Sequence, residues 1–484
     1  MGDAPPAKAQ APWNNDRVMR VIAAARSDDP VAARKVVSEL TEACLAESGR
    51  GLDLTAVDLS GLDLSGFDLR QATLNRTALY GTDLSAADLT GASLVCAGLE
   101  RTNFTDAVLR GAYVHAVAAQ ASVFVRADLS GLIDATGALF HGCNMSQARL
   151  DHSELAGVTF YQCNLASAQA RSSDLRGAVF NECRMDDADL TSAVVGDCTI
   201  TRSGVRGLTL ARARGQGLVI QRPSTADGLR LSGAHLPSLR LSAVRGRGIT
   251  ADSLNATGID VLDSHLAEAS FRGADLSGGR WSRVGMDGAV FVGAALADSS
   301  WQHVSVCDAD FAEATGESMT ASECSFARAD LSGFAGRYST FRNCDFTAAD
   351  LQRTYLYRAS FIGDPPSSAC MAHANLDGAN LTQAYLAADF TSASLRHVTA
   401  TYARVNQSIF SDADLSGLSM FRASAVKTDF TSARVTGTLG LMFADRCIGL
   451  SAALDASVDP ESLRIAKFIT DFDGLIASDN RKST

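Results

Sequence analysis

Apolar residues recur along this chain at every fifth position. From Leu54 to Leu129 that position is Leu or Phe in 14 of 16 cases, the exceptions being Val114 and Ala119. Two places before it the residue is usually small, as at Ala72, Thr77, Thr82, Ala87, Ala92, Ala97, Thr102 and Ala107. In an α-helix a five-residue step advances about 140° past a full turn and smears the apolar residues around the axis. In a flat strand an odd step sends them alternately to opposite faces. A chain that turns a corner every five residues meets neither problem, because each short side aims its central residue at one shared axis. The pattern predicts an all-β solenoid.

The repeating unit is a small residue, Asp or Asn, Leu or Phe, and two further residues that are usually polar or small, as in TDLSA, ADLTG and TNFTD. It resembles the pentapeptide-repeat proteins from Leu54 to about Val435. The resemblance implies a right-handed quadrilateral β-helix, four five-residue sides to a 20-residue coil, with the central and small residues inward.

The frame slips in four places, each of which needs a bulge, loop or deletion: Ser130–Gly142, Ala211–Gly228, Ile362–Cys370 and Ala387–Asp389. Ahead of the repeats, Asp16–Ser27 and Pro30–Ser48 read as helices, the second with Asp29 as N-cap, Pro30 at its first position and Gly49 past its end. Behind them, a helix is expected from Asp459 to about Thr470. The expected organisation is a helical cap with a disordered start (1–50), a first solenoid part (51–210), degenerate Arg-rich repeats (211–260), a second solenoid part (261–436), and a C-terminal helical cap or dimerisation segment (437–484).

Composition narrows the function classes. The 484 residues carry a net charge of −11, which argues against direct nucleic-acid binding or an anionic-membrane surface. No apolar run is long enough to span a bilayer and the start lacks a signal-peptide core, so the cytoplasm is the expected location. The 11 cysteines form no CxxC pair. Cys143, Cys163 and Cys183 fall 20 apart, as do Cys324 and Cys344; all occupy the small inward slot and read as buried thiols. No metal or cofactor is expected.

Three groups stand out as candidate sites. Asp310, Asp330 and Asp350 form an outward acidic column at the coil spacing. Between residues 202 and 247 there are nine arginines against a single acid, Asp227, and from these Arg222, Arg230, Arg240, Arg245 and Arg247 are the candidate anion-binding residues. Trp281 and Trp301 sit one coil apart at central positions, either swelling the interior or turned outward as an aromatic pocket. The sequence lacks a P-loop, GxSxG, HExxH or dinucleotide fingerprint. A non-catalytic macromolecular-binding solenoid is therefore the principal reading. Resemblance to the quinolone-resistance group implies a DNA mimic that binds DNA gyrase or topoisomerase and confers antibiotic resistance or self-resistance. A protein partner, a type II topoisomerase, and a homodimer through the C-terminal segment follow from the same resemblance. The alternative is an enzyme or ligand-binding protein with an anionic-substrate pocket at the Arg-rich centre.

Overall fold

A computed structural model of the chain describes residues 16–363, 369–436 and 440–450. The chain divides into two compact units, Met1–Leu236 and Pro237–Thr484. The expected helix at Asp459–Thr470, the disordered start and most of the segment 437–484 lie outside the described residues.

The first unit opens with two helices, α1 (Asp16–Ala25) and α2 (Pro30–Ser48). Asp29 caps α2: its Oδ1 accepts from the backbone N–H groups of Val31 and Ala32 at 3.0 Å each. At the other end Gly49 has φ 67°, and its N–H reaches Leu45 O; only glycine adopts that left-handed geometry at no steric cost. Val37, Leu40 and Cys44 are buried, and Thr41 Oγ1 donates to Asp68 O at 2.6 Å. The helix thus ties down the first coil and covers an edge that would otherwise pair with another chain. Replacing Asp29 with Ala orphans two N–H groups and is expected to cost about 1 kcal/mol, measured by chemical denaturation followed by circular dichroism.

Behind α2 the chain winds as a parallel β-solenoid. Asp53, Asp58, Asp63 and Asp68 pair in parallel with Thr73, Ala78, Asp83 and Asp88, so four five-residue sides make one 20-residue coil. Each side ends in a tight turn. In the first, Val57 N donates to Leu54 O at 3.2 Å with Ala56 at φ 58°. The next coil then supplies the backbone partners, as in Leu54 N to Thr73 O. Central residues point inward as expected, with Leu54, Leu59, Leu64 and Leu69 fully buried.

Phenylalanines on successive coils stack at strand spacing. Phe104 and Phe124 are 4.8 Å apart at 8°, and in the second unit Phe291 and Phe311 are 4.7 Å apart at 5°. The small inward residues have a further role, because Thr77 Oγ1 donates to Leu54 O (2.8 Å) and Thr102 Oγ1 to Leu79 O (2.7 Å). A hydroxyl in that slot satisfies a carbonyl on the preceding coil, which lets Thr, Ser and Cys share it with Ala.

Pairing register locates the frame slips. The step lengthens to 21 between Val108↔Asp128 and Tyr113↔Asp134, with Leu132 inside and Ile133 outside. It lengthens again between Thr201↔Gln221 and Gly204↔Thr225. In the second unit, which contains the strands Arg240–Ser242 through Phe443–Asp445, Phe361 pairs with Leu386, a 25-residue step. One residue is then lost within Tyr385–Asp389, and Tyr385 pairs with Arg404.

Candidate interaction surfaces

Outward positions are set by the turn chemistry. Asp53, Asp63, Asp83 and Asp88 each accept at Oδ1 the backbone N–H two residues on, at 2.9–3.0 Å. Asn103 and Asn144 do the same. A short side-chain acceptor before the central residue builds the corner, so aspartate serves a structural purpose before any functional one.

The candidate acidic column follows this rule. Asp310, Asp330 and Asp350 are in parallel register, and each is half-buried. Their Oδ1 atoms accept from Ala312 N (3.0 Å), Ser332 N (2.8 Å) and Gln352 N (3.0 Å). Gln352 Nε2 also donates to Asp350 Oδ2 at 3.1 Å. Val290 precedes the row and Asn375 follows it.

Many other acids are matched by arginines one coil away. Arg126 holds Asp106 through two hydrogen bonds at 2.7 and 2.6 Å, and Arg328 holds Asp308 at the same two distances. Arg283 pairs with Asp263 and Arg202 with Glu182. The guanidinium hydrogen bonds keep the Asp106, Asp263 and Asp308 carboxyls below their ordinary pKa. These contacts are exposed, so they contribute more to coil register than to stability.

The five candidate anion-binding arginines are divided between the units and are all exposed. Arg222 and Arg230 belong to the first, where Arg230 Nη1 donates to Gly207 O at 3.1 Å. Local irregularity there has a backbone cause: Gly215 occupies a central slot at φ 147°, and a Cβ on it would fall 2.2 Å from Gly196 N. Arg240, Arg245 and Arg247 belong to the second unit. Arg247 is ion-paired with Glu268, while Arg245 lines a shallow, open depression with Asp263, Ser264, His265, Arg283 and Gly285.

Trp281 and Trp301 do not form an exposed aromatic pocket. Both are 1% exposed, 5.5 Å apart, and packed among Phe271, Phe291 and Phe311. The interior holds them because small residues lie beside them: Trp301 Nε1 donates to Ser299 Oγ at 3.1 Å, and a Cβ on Gly279 would lie 3.0 Å from Trp281 Nε1.

The cysteine column is also interior. Cys143, Cys163 and Cys183 donate to the carbonyls of Ala119, Phe140 and Phe160 at 3.2–3.4 Å. Burial pushes the Cys198 thiol up to about 12. Among the described residues no group of three or more His, Cys, Asp or Glu is arranged to hold a metal.

One surface escapes the sequence pattern. Two adjacent corner columns of the second unit run Arg337, Tyr357, Thr382, Thr401, Phe421 and Tyr338, Arg358, Gln383, Tyr402, Arg422, linked by Tyr338 N to Tyr357 O, Arg358 N to Thr382 O, Gln383 N to Thr401 O and Tyr402 N to Phe421 O. Arg337 lies over the rings of Tyr338, Tyr355 and Tyr357 at 5.4, 5.9 and 6.0 Å. Arg358 lies over Tyr357 at 5.3 Å, and Arg422 over Phe421 and Tyr402 at 5.3 and 5.9 Å. Beside them Gln383, Ala384, Tyr385, Tyr402 and Arg404 line an open depression.

A closed apolar stack carrying rows of outward side chains at one-coil spacing defines a β-solenoid repeat protein. The family model for pentapeptide repeats (8 copies) matches residues 53–91, 82–116, 122–166, 163–202, 322–363 and 367–417, and the chain belongs to the pentapeptide-repeat family. Among solved structures it is similar to QnrB1, a plasmid-mediated fluoroquinolone resistance protein, at 19% identity over 41% of this chain and 91% of that one, with a TM-score of 0.28. It is also similar to HetL, a pentapeptide repeat protein involved in heterocyst differentiation regulation from the cyanobacterium Nostoc sp. strain PCC 7120, at 21% identity over 51% of this chain and 94% of that one, with a TM-score of 0.22. No curated protein matches the chain. Among the described residues no helix is long and apolar enough to cross a membrane.

Proposed function

We propose that this protein is a non-catalytic binding scaffold whose target is the duplex-binding surface of a type II topoisomerase, met by Asp310, Asp330 and Asp350 in place of DNA phosphates. The observation that carries the reading is the carboxylate row itself. Its rungs are about 4.8 Å apart, the same order as the roughly 3.4 Å axial spacing of phosphates along one DNA strand. Among the described residues none of the three is in an ion pair, so the row is uncompensated. Each carboxylate is held at Oδ1 by its own turn, and a pre-positioned acid loses little freedom when a cation closes on it. The net charge of −11 adds long-range attraction to a basic surface. Action on such a target places the protein in the cytoplasm, and protection from a topoisomerase poison is the corresponding resistance role.

The test is clean because asparagine builds the same corner. Asn375 and Asn380 accept the N–H groups of Asp377 and Thr382 as aspartate does. An Asp310→Asn, Asp330→Asn, Asp350→Asn variant therefore keeps the turn and loses the charge. Wild-type protein is expected to recover the enzyme from host lysate and to alter its supercoiling activity. At about 0.5 kcal/mol for each exposed charge pair, the variant binds roughly tenfold more weakly. Absence of both recovery and any supercoiling effect with the wild type rules the proposal out.

A further inference from the structure

We infer that the arginine–tyrosine face formed by Arg337, Arg358, Arg404 and Arg422 with Tyr338, Tyr355, Tyr357, Tyr385 and Tyr402 is a docking surface for an acidic polypeptide segment of a partner protein. The face concentrates the two residue types that most often dominate protein interfaces. Its rings are open to solvent: Tyr338 and Tyr355 are 40% exposed, Tyr402 46% and Phe421 53%.

Its charge is one-sided. From 337 to 422 the two corner columns hold Arg337, Arg358 and Arg422 and no acid, and Arg404 stands beside them in register with Tyr385. Glu317 bounds the face one coil before Arg337. Among the described residues none of these four arginines is in an ion pair, in contrast to Arg126, Arg283, Arg328 and Arg396. A locally basic face on a chain of net charge −11 is complementary to a short run of carboxylates.

Ring stacking decides which anion. A guanidinium laid on a ring is held in orientation while its N–H groups spread within its own plane, ready for bidentate hydrogen bonds. Arg337 is held by three rings and Arg422 by two, with Arg422 Nη1 also donating to Tyr402 Oη at 3.1 Å. Arg358 is fixed twice, by Tyr357 and by a 2.6 Å hydrogen bond from its Nε to Gln383 Oε1. The rings of Tyr338, Tyr355, Tyr357, Tyr402 and Phe421 already carry a guanidinium, so they are poor platforms for nucleobases, whose single-strand recognition depends on free aromatic faces. Carboxylates need only the guanidinium edges. The depression lined by Gln383, Tyr385, Tyr402 and Arg404 gives the segment a seat midway along the row. This surface is separate from the Asp310, Asp330, Asp350 row and does not depend on the topoisomerase reading.

The experiment uses the full chain and fluorescence anisotropy with a labelled oligoglutamate peptide at low salt, with an oligoglutamine peptide of equal length and a single-stranded oligonucleotide as the other arms. Oligoglutamate is expected to bind with an affinity that falls as salt rises, and oligoglutamine is not. The Arg337→Gln, Arg358→Gln, Arg422→Gln variant is expected to lose about tenfold or more, the loss of one or two charge-assisted hydrogen bonds. Arg353→Gln, at another corner, and the three-Asn variant of the acidic row both retain binding. Circular dichroism melts check that each variant is folded; if the triple variant is not, Arg358→Lys keeps the charge, loses the planar fork and is expected to weaken binding severalfold. Failure of oligoglutamate to bind, unchanged binding by the folded arginine variants, equal binding of oligoglutamine, or tighter binding of the oligonucleotide through the same arginines overturns the inference.

Discussion

Replacing Gly336 with leucine, the residue type the repeat calls for at that slot, destabilises the protein by about 3 kcal/mol. The interior has exchanged sizes there. Phe334 fills the small slot and is 2% exposed, while glycine stands at the central positions 316 and 336. A Cβ on Gly336 would meet Phe334 Cε1 at 2.6 Å, and one on Gly316 would meet Phe334 Cζ at 2.5 Å. Neither glycine has a positive φ, so the penalty is one of volume and not of backbone geometry. Phe334→Ala alone opens a cavity and costs about 3–5 kcal/mol. Combining Phe334→Ala with Gly336→Leu refills the layer, and the double variant is expected to lose at least 2 kcal/mol less than the sum of the singles. Urea denaturation of all four proteins measures the cycle, and strict additivity contradicts the size exchange.

Trp301→Ala is the second large loss, about 3–5 kcal/mol, because the indole bridges Trp281, Phe291, Phe311 and Phe326 at centroid distances of 5.5–6.3 Å. Phenylalanine substitutions separate packing from hydrogen bonding at this pair. Trp301→Phe leaves the Ser299 hydroxyl without its indole donor. At Trp281 the Nε1–H is buried and has no partner among the described residues, so Trp281→Phe removes a group that was already unsatisfied. The first change is therefore expected to cost about 1 kcal/mol more than the second. Equal losses in urea denaturation show that the Ser299 contact contributes nothing.

Several features were legible because they obey a fixed interval. The inward rows of Leu and Phe and the cap of α2 from Asp29 to Gly49 follow from counting residues. The direction of the indoles does not, since a central slot says where a side chain starts and only the sizes of Gly279 and Ser299 say whether it fits. The acidic row was visible, whereas the use of each Oδ1 in its own turn was not. The arginine–tyrosine face was hidden for a definite reason. Its corner column runs 338, 358, 383, 402, 422, and the intervals of 25 and 19 in its middle break the 20-residue register that would have exposed it. Neither the interruption after Ile362 nor the contraction within Tyr385–Asp389 reveals its exact length until the strands on either side are paired.

The longer of those steps exceeds a coil by the length of one side. Phe361 still meets Leu386, and Asp345 still meets Cys370, so inside and outside keep their phase across the enlarged coil. Changes of chain length in units of five are therefore silent to the interior, while a gain or loss of one residue must be absorbed at a corner, as at Ile133. A gene for such a protein can acquire or shed peptide in quintets at a corner with its hydrophobic column undisturbed, which makes the rim of each coil a natural place for new recognition segments to be spliced in.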